Sequence, residues 1–466
     1  MMILTQKRQL ILLFGIFLMT GTALAQQENN SNIGMDSVIV DAPFEMPPIT
    51  IPDFSAAPRL PITDFGAQPG DKESTTRAID EAIAQAHAAG GGIVVIPAGE
   101  WLTGKIHLKS NVNLHVEEHA VLNFSEDPQD YLPPVHTTWE GMEAYNYSPL
   151  IYAFECHNVA ITGKGKLHAR LDVWRDWYDR PEPHMAALAR LYHMAAKGVP
   201  VEERQMVGNQ AHLRPQFIQF NRCENVLMTD VSISSSPFWV IHPYLSKNVV
   251  IRGVNVQAHG HNNDGVDIEM SQNVLVENST FDQGDDAIAI KSGRNQDAWR
   301  LNTPSKNIVV RNSLIRNGHQ LLAIGSELSG GVENVLIENC QLDKEIDDVM
   351  HLLFIKTNER RGGYVDNIHM RNITAGELRY GVLGIETDVL YQWRDLVPTY
   401  ERRLTPIRNV HLENIRTGSV DYISQIKGNA EQPVQSVSLI DVEVDSVRGE
   451  RFTNSNVDHF SFTKNE

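Results

Sequence analysis

A nine-residue pattern recurs down the second half of the chain. It reads NVLMTDVSI from Asn225, NVVIRGVNV from Asn248, NVLVENSTF from Asn273, NIVVRNSLI from Asn307, NVLIENCQL from Asn334, NIHMRNITA from Asn367 and NVHLENIRT from Asn409, with a fainter copy, SVSLIDVEV, from Ser436. Positions two and four are apolar in every copy, so one face of an extended segment is buried with period two. Position six is always Asn, Asp or Gly, the residues that tolerate a left-handed corner. A strand, a forced corner and a second strand, returning at intervals of 23 residues (Asn225 to Asn248) to 42 (Asn367 to Asn409), describe a coil stacked on copies of itself. The pattern predicts an all-β fold, a right-handed parallel β-helix. A propeller needs four-stranded blades with their own hairpin turns, and hairpin dipeptides are few. The stretch STTRAIDEAIAQAHAAGGG reads as an amphipathic helix capped by Ser74 or Thr75 and stopped by the glycine run from Gly90. Such a helix would close the N-terminal end of the solenoid.

The N-terminus speaks for export. Lys7 and Arg8 precede the apolar run LILLFGIFLM, and TALA ends at Ala25, which reads as a signal peptide cleaved after Ala25, for the periplasm or beyond. The run is short for a membrane span and no other resembles one, so no membrane association is expected after cleavage. Residues 26–58 read as a polar leader or linker and 59–466 as a single β-helical catalytic domain. Formal net charge is −18, becoming −18 − 2 = −20 without Lys7 and Arg8, and no basic stripe offsets it, which excludes a nucleic-acid partner. An anionic substrate would need a locally basic pocket. Three cysteines, Cys156, Cys223 and Cys340, are an odd number for a disulfide framework and read as buried thiols. Their spacing suggests no metal site, no cofactor is called for, and a monomer is expected. Residues 170–215 interrupt the repeat with DVWRDWYDRPEPHMAALARLYHMAAKG, helical in its middle. Its Trp174, Trp177 and Tyr178 either cover apolar surface or wall a sugar-binding cleft.

Stacking changes how the acids read. HNNDGVDIE carries Asp264 and Asp267, and FDQGDDAIAIKSG carries Asp285 and Asp286, with Asp285 21 residues after Asp264, about one short coil. Residues one coil apart lie on strands about 5 Å apart. Three crowded carboxylates repel, which raises at least one pKa. A protonated acid beside an ionised base is what glycosidic hydrolysis requires. Alternatively Asp264 and Asp285 cap turns.

In order and spacing, HNNDGVD, GDDAIAIKSG, NGHQLLAIGSELSGGVENV and FIKTNERRGGYVDNI resemble the motifs of glycoside hydrolase family 28, the polygalacturonase family. ITDFGAQPGDKESTTRAIDEAI, GGGIVVIPAGEWLTGKIHLKSNVNLH and SSSPFWVIHP are similar too, so the resemblance runs from about residue 60 to the C-terminus. It implies an inverting glycosidase acting on α-linked galacturonate in pectic glycans. Exo action is favoured because the 170–215 insertion could block one end of the cleft; a rhamnogalacturonan-directed hydrolase is the runner-up. The resemblance implies Asp285 as general acid, Asp264 with Asp286 as the pair activating water, and His319 as the histidine keeping the acid protonated. Asn262 matches the asparagine opening the first motif, and Lys356 the lysine that grips the substrate carboxylate. Two departures stand out: Phe354 replaces the arginine of Arg-Ile-Lys, and Gln320 replaces the last glycine of Gly-His-Gly. Lys291, Arg294, Arg360 and Arg361 are candidates to restore the missing positive charge. Closely spaced carboxylates usually signal retention, whereas the resemblance implies inversion. The competing readings are a Ca²⁺-dependent pectate lyase and a non-catalytic glycan-binding β-helix.

Overall fold

The computed structural model describes residues 33–209, 211–343, 349–389, 396 and 401–464. The signal-peptide reading therefore lies outside the described residues. Each coil runs through up to three strands, and each coil strand pairs in parallel with its equivalent one coil on, giving three ladders around a common core, one forming an 11-stranded sheet and two joined in a 21-stranded sheet. In the first ladder the apolar second positions stack in register, Val226 on Val249, Val274, Ile308, Val335 and Ile368. All are fully buried. The sixth positions Asp230, Gly253, Asn278, Asn312, Asn339, Asn372, Asn414 and Asp441 all turn the corner at φ between 51° and 66°. Asn or Asp tolerates this conformation and glycine adopts it freely.

The asparagine at position one also has positive φ, and it makes a ladder. The amide of Asn248 donates to Asn225 (3.0 Å), Asn273 to Asn248 (3.1 Å), Asn307 to Asn273 (3.1 Å), Asn334 to Asn307 (3.0 Å) and Asn367 to Asn334 (2.8 Å). A carboxamide carries both donor and acceptor, so each rung satisfies the next.

Helix α1 (Lys72–Ala88) lays Ala78, Ile79, Ala82, Ile83 and Ala86 on the first coils, against strands Gly92–Ile96 and Gly99–Thr103. Its cap is Asp71, whose carboxylate accepts from the backbone N–H of Glu73 (3.0 Å) and Ser74 (3.2 Å), rather than Ser74 or Thr75, which already lie inside the first turn.

The leader is not a linker. Strands Gly34–Val38 and Ile49–Asp53 pair antiparallel, and Val40, Ile49 and Ile51 pack on Val250, Leu275, Val309 and Leu336. Those four are third positions of the repeat, which face outward and require an apolar cover. The insertion also packs. Helix α2 (Asp172–Asp176) and the following turn hold Trp174, Trp177 and Tyr178 buried, the two tryptophans edge-to-face at 5.0 Å. The rings of Trp174 and Trp177 are used in the protein's own core and do not form a sugar-stacking wall, whereas Tyr178 also borders a groove beside Asp285 and His319. Helix α3 (Glu182–Ala196) seats Ala187, Leu188 and Leu191 on Trp139 and Met142 of the hairpin Val135–Trp139/Met142–Asn146. Arg204 pairs with Asp297 of helix α4 (Asn295–Leu301), tying this layer to the loop after Lys291. Cys156, Cys223 and Cys340 are free and buried. Among the described residues no helix is long and apolar enough to cross a membrane.

Candidate active site

The 11-stranded sheet, which holds strands Val266–Glu269 and Ile288–Lys291, turns Val266, Ile268, Ile288 and Ile290 into the core, so alternation sends Asp267, Glu269, Ala289 and Lys291 outward. Stacking then builds rows across the coils: Asp267, Ala289, Ala323, Phe354, Gly384 and Gln425 in one, and Gly325, Lys356, Glu386 and Lys427 in another. Phe354 and Gln425 of the first row and Lys356, Glu386 and Lys427 of the second line a cleft of about 690 Å³.

The acids sit where the chain enters this sheet. Val266 is in register with Ile288, so the partner of Asp264 one coil on is Asp286, one residue beyond the Asp285 expected from sequence spacing. Gly265 donates its N–H to the Asp286 carbonyl (3.0 Å), and a Cβ there would meet the Ala287 carbonyl at 2.5 Å. Glycine lets the two acid-bearing turns close on each other. Asp285 is half-buried and accepts from His319 Nδ1 (3.0 Å) and from the Asp286 N–H (3.0 Å). Asp286 is 1% exposed and accepts from Lys356 Nζ at 3.2 Å. Lys291 Nζ lies 3.5 Å from Asp264, from Asp267 and from Glu327.

Charge follows from this packing. Burial, reinforced by the Asp285 charge, raises Asp264 to about 8, and burial also raises Asp286 against the opposing pull of Lys356. Burial pushes Asp285 up as well, but the His319 hydrogen bond and charge overcome it and hold the carboxyl low. The same hydrogen bond raises His319. Burial thus favours the protonated form of Asp264, while the Asp285–His319 hydrogen bond favours the charged forms of both its partners. Asp267, with neither oxygen hydrogen-bonded, is driven well up by burial and then by Asp264.

Asn262, Asp264, Asp285, Asp286, Lys291, Arg294, His319, Phe354 and Lys356 all line the cleft. Arg360 and Arg361 do not. Past Lys356 the chain leaves the sheet, and buried Arg361 donates to the Ser326 carbonyl (2.6 Å) and to Asn295 (2.7 Å), bracing a loop instead of facing substrate. Arg294 is paired with Glu140 and Glu327. Phe354 stacks on His351 at 4.7 Å and 8°, and His351 bonds the Tyr422 hydroxyl at 2.7 Å. Gln320 reaches Met350 Sδ at 3.7 Å on the cleft lining.

Several site residues carry no signal in the motifs. Glu140, at the turn of the hairpin, and Arg180 of the insertion come from distant sequence. Buried Arg214 donates to the Asn262 side chain (3.1 Å) and the His261 carbonyl (2.8 Å), fixing the turn before Asp264. Glu327 stands inside the third motif, where only its charge could have flagged it. Asp285, Asp286 and His319 offer ligand atoms within 4.8 Å of one another, the one such trio among the described residues. The Lys356 ammonium lies 3.2 Å from the Asp286 carboxylate of this trio.

The model for glycosyl hydrolases family 28 matches residues 202–463. A probable polygalacturonase of Vitis vinifera is 27% identical over 330 residues, 68% of this chain and 61% of the relative. An exo-poly-alpha-D-galacturonosidase of Dickeya chrysanthemi is 28% identical over 310 residues, 61% of this chain and 50% of the relative. The chain thus spans half to about three fifths of these curated relatives. The crystal structure of a hyperthermoactive exopolygalacturonase from Thermotoga maritima superposes with a TM-score of 0.77 at 37% identity, covering 87% of this chain and 91% of that one. With its parallel β-helix and its acids gathered on one rim, this chain belongs to glycosyl hydrolases family 28.

Proposed function

We propose that the chain is an exo-acting polygalacturonase-like glycosidase that hydrolyses α-linked galacturonate at the ends of pectic glycans by single displacement. The observation that carries it is the meeting of Asp264, Asp285 and Asp286 with His319 and two ammonium groups in one cleft. When a saccharide displaces water, the lower dielectric favours the neutral tautomer of the Asp285–His319 pair over the ion pair. The Asp285 carboxyl then donates its proton to the glycosidic oxygen as the bond to the anomeric carbon breaks. A water between Asp264 and Asp286 gives its hydroxyl to that carbon and its proton to whichever of the two is ionised. Lys356 and Lys291 offset the charge of the acids and of a uronate.

Exo action is supported by Glu140 of the hairpin and Arg180 of the insertion on the cleft lining and by the similarity to proteins named as exo-acting. The signal-peptide reading would deliver the enzyme to the periplasm or the exterior, where pectic polymers are met. Digestion of polygalacturonate tests the assignment. Monogalacturonate should be the earliest product, and Asp285→Asn should lose about 10²- to 10⁴-fold in turnover with an unchanged melting curve. A ladder of oligomers would indicate endo action, and unsaturated products a lyase. The stack of Phe354 on His351, where an arginine is usual, favours a second reading. Activity confined to rhamnogalacturonan oligosaccharides would establish that one.

A further inference from the structure

Lys291 reaches the acids from the second acidic motif, and it is shared three ways. Its Nζ lies 3.5 Å from Asp264, from Asp267 and from Glu327, and 4.7 Å from the centroid of the Trp239 ring. Three carboxylates at one distance divide the three protons of one ammonium. Glu327 is 5% exposed and lines the cleft. One of its oxygens faces Lys291 and the other takes Arg294, which also pairs with Glu140 at 3.2 Å. The backbone fixes this meeting: the Ser292 N–H donates to the Glu327 carbonyl (2.6 Å), the Ser329 N–H donates to the Gly293 carbonyl (3.0 Å), and Arg361 braces Ser326. Burial pushes Glu327 up, but Lys291, Arg294 and Arg361 overcome it and hold the carboxyl well below its ordinary value. Its charge therefore persists wherever Asp264 titrates.

Resting on the hydrolase reading, we propose that Glu327 is a positioning residue for the water-activating acids: it draws Lys291 off Asp264, so that Asp264 takes a proton from water more readily. Arg294 moderates that pull by occupying the other Glu327 oxygen. Asp264 is faced by the cations Lys291 and Lys356 and by the acids Asp267, Asp285 and Asp286, with His319 beyond Asp285. In so buried a place an ammonium given wholly to Asp264 would stabilise its ionised form and weaken it as a base. Glu327 meets no reacting atom in this role and acts through Lys291.

The test is kcat/KM against pH for the wild type, Glu327→Gln and Arg294→Gln, on whichever of trigalacturonate or a rhamnogalacturonan oligosaccharide the wild type cuts. The ionisation of the base sets the acidic limb. Without the Glu327 charge Lys291 closes on Asp264, so the limb is expected to move down by about half to one pH unit. Without Arg294 the whole Glu327 charge falls on Lys291, so the limb moves up. A merely structural role lowers the plateau and does not move the limb in opposite directions. A lowered limb in Glu327→Gln supports the proposal, and an unmoved or raised one overturns it. If that variant does not fold, Arg294→Gln decides, a raised limb supporting the proposal and an unmoved or lowered one overturning it. Wild type that cuts neither substrate refutes instead the hydrolase reading on which it rests.

Discussion

Asp264 is held in a place that prefers it neutral. It is 2% exposed, has Asp286 one coil on, and is raised from 3.8 to about 8. A folded-state pKa above the unfolded value means that folding releases no cost below about pH 4, and that stability is lost progressively as pH rises toward 8. Asp264→Asn abolishes that loss. Thermal melts should show the variant more stable than wild type by about 1–3 kcal/mol at pH 7.5, the gain limited because Lys291 keeps only two of its three carboxylates. At pH 4 the two should melt together, and turnover should be lost at both. A variant less stable than wild type at pH 7.5 contradicts the assigned burial effect. At this scale the sequence was most legible where a motif carries the residue: Asp264, Asp285, Asp286, His319 and Lys356 all reach the cleft. It was least legible where a side chain acts through a loop. Nothing in NERRGG distinguishes an arginine facing substrate from Arg361, which turns under to Ser326 and Asn295. Asp267 could have been read as an outward residue of its strand from the alternation of Val266 and Ile268, but its missing hydrogen bonds depend on tertiary packing.

Among the elements, the repeat was legible because it obeys two local rules, inward apolar residues at positions two and four and a left-handed corner at position six. The leader was misread because its packing partner lies far away in sequence. The partner left a trace: the third, outward position is Leu227, Val250, Leu275, Val309 and Leu336 in the early copies and turns to His369, His411 and Ser438 in the later ones. The leader residues Val40, Ile49 and Ile51 cover the apolar part of that row. Ile49 is fully buried, so Ile49→Ala should cost about 2–4 kcal/mol of stability while leaving kcat and KM unchanged, since none of the described leader residues lines the cleft. Denaturant unfolding of the two proteins checks this, and equal midpoints would return residues 33–58 to the status of a linker.

For the molecule as a whole, the solenoid sets the chemistry by stacking. Turns at 264 and 285–286 are brought together only because successive coils lie in register, and His319 and Lys356 join them from the next coils. The hairpin and insertion then pack as one layer beside the cleft, their aromatics spent on each other. This layer was visible in sequence as an interruption, but its role as packing needed the positions of Trp139 and Phe238. Carboxylate oxygens of Asp285 and Asp286 lie within 4.8 Å of each other, whereas inverting glycosidases usually separate their acids by about 6.5–9.5 Å. Inversion here rests on Asp264 and Asp286 holding one water between them, against Asp285 as acid. Proton NMR of the sugar released in the first moments of polygalacturonate digestion tests that arrangement directly. The account predicts the β-anomer of galacturonate first, relaxing to the equilibrium mixture; an α-anomer first would contradict it.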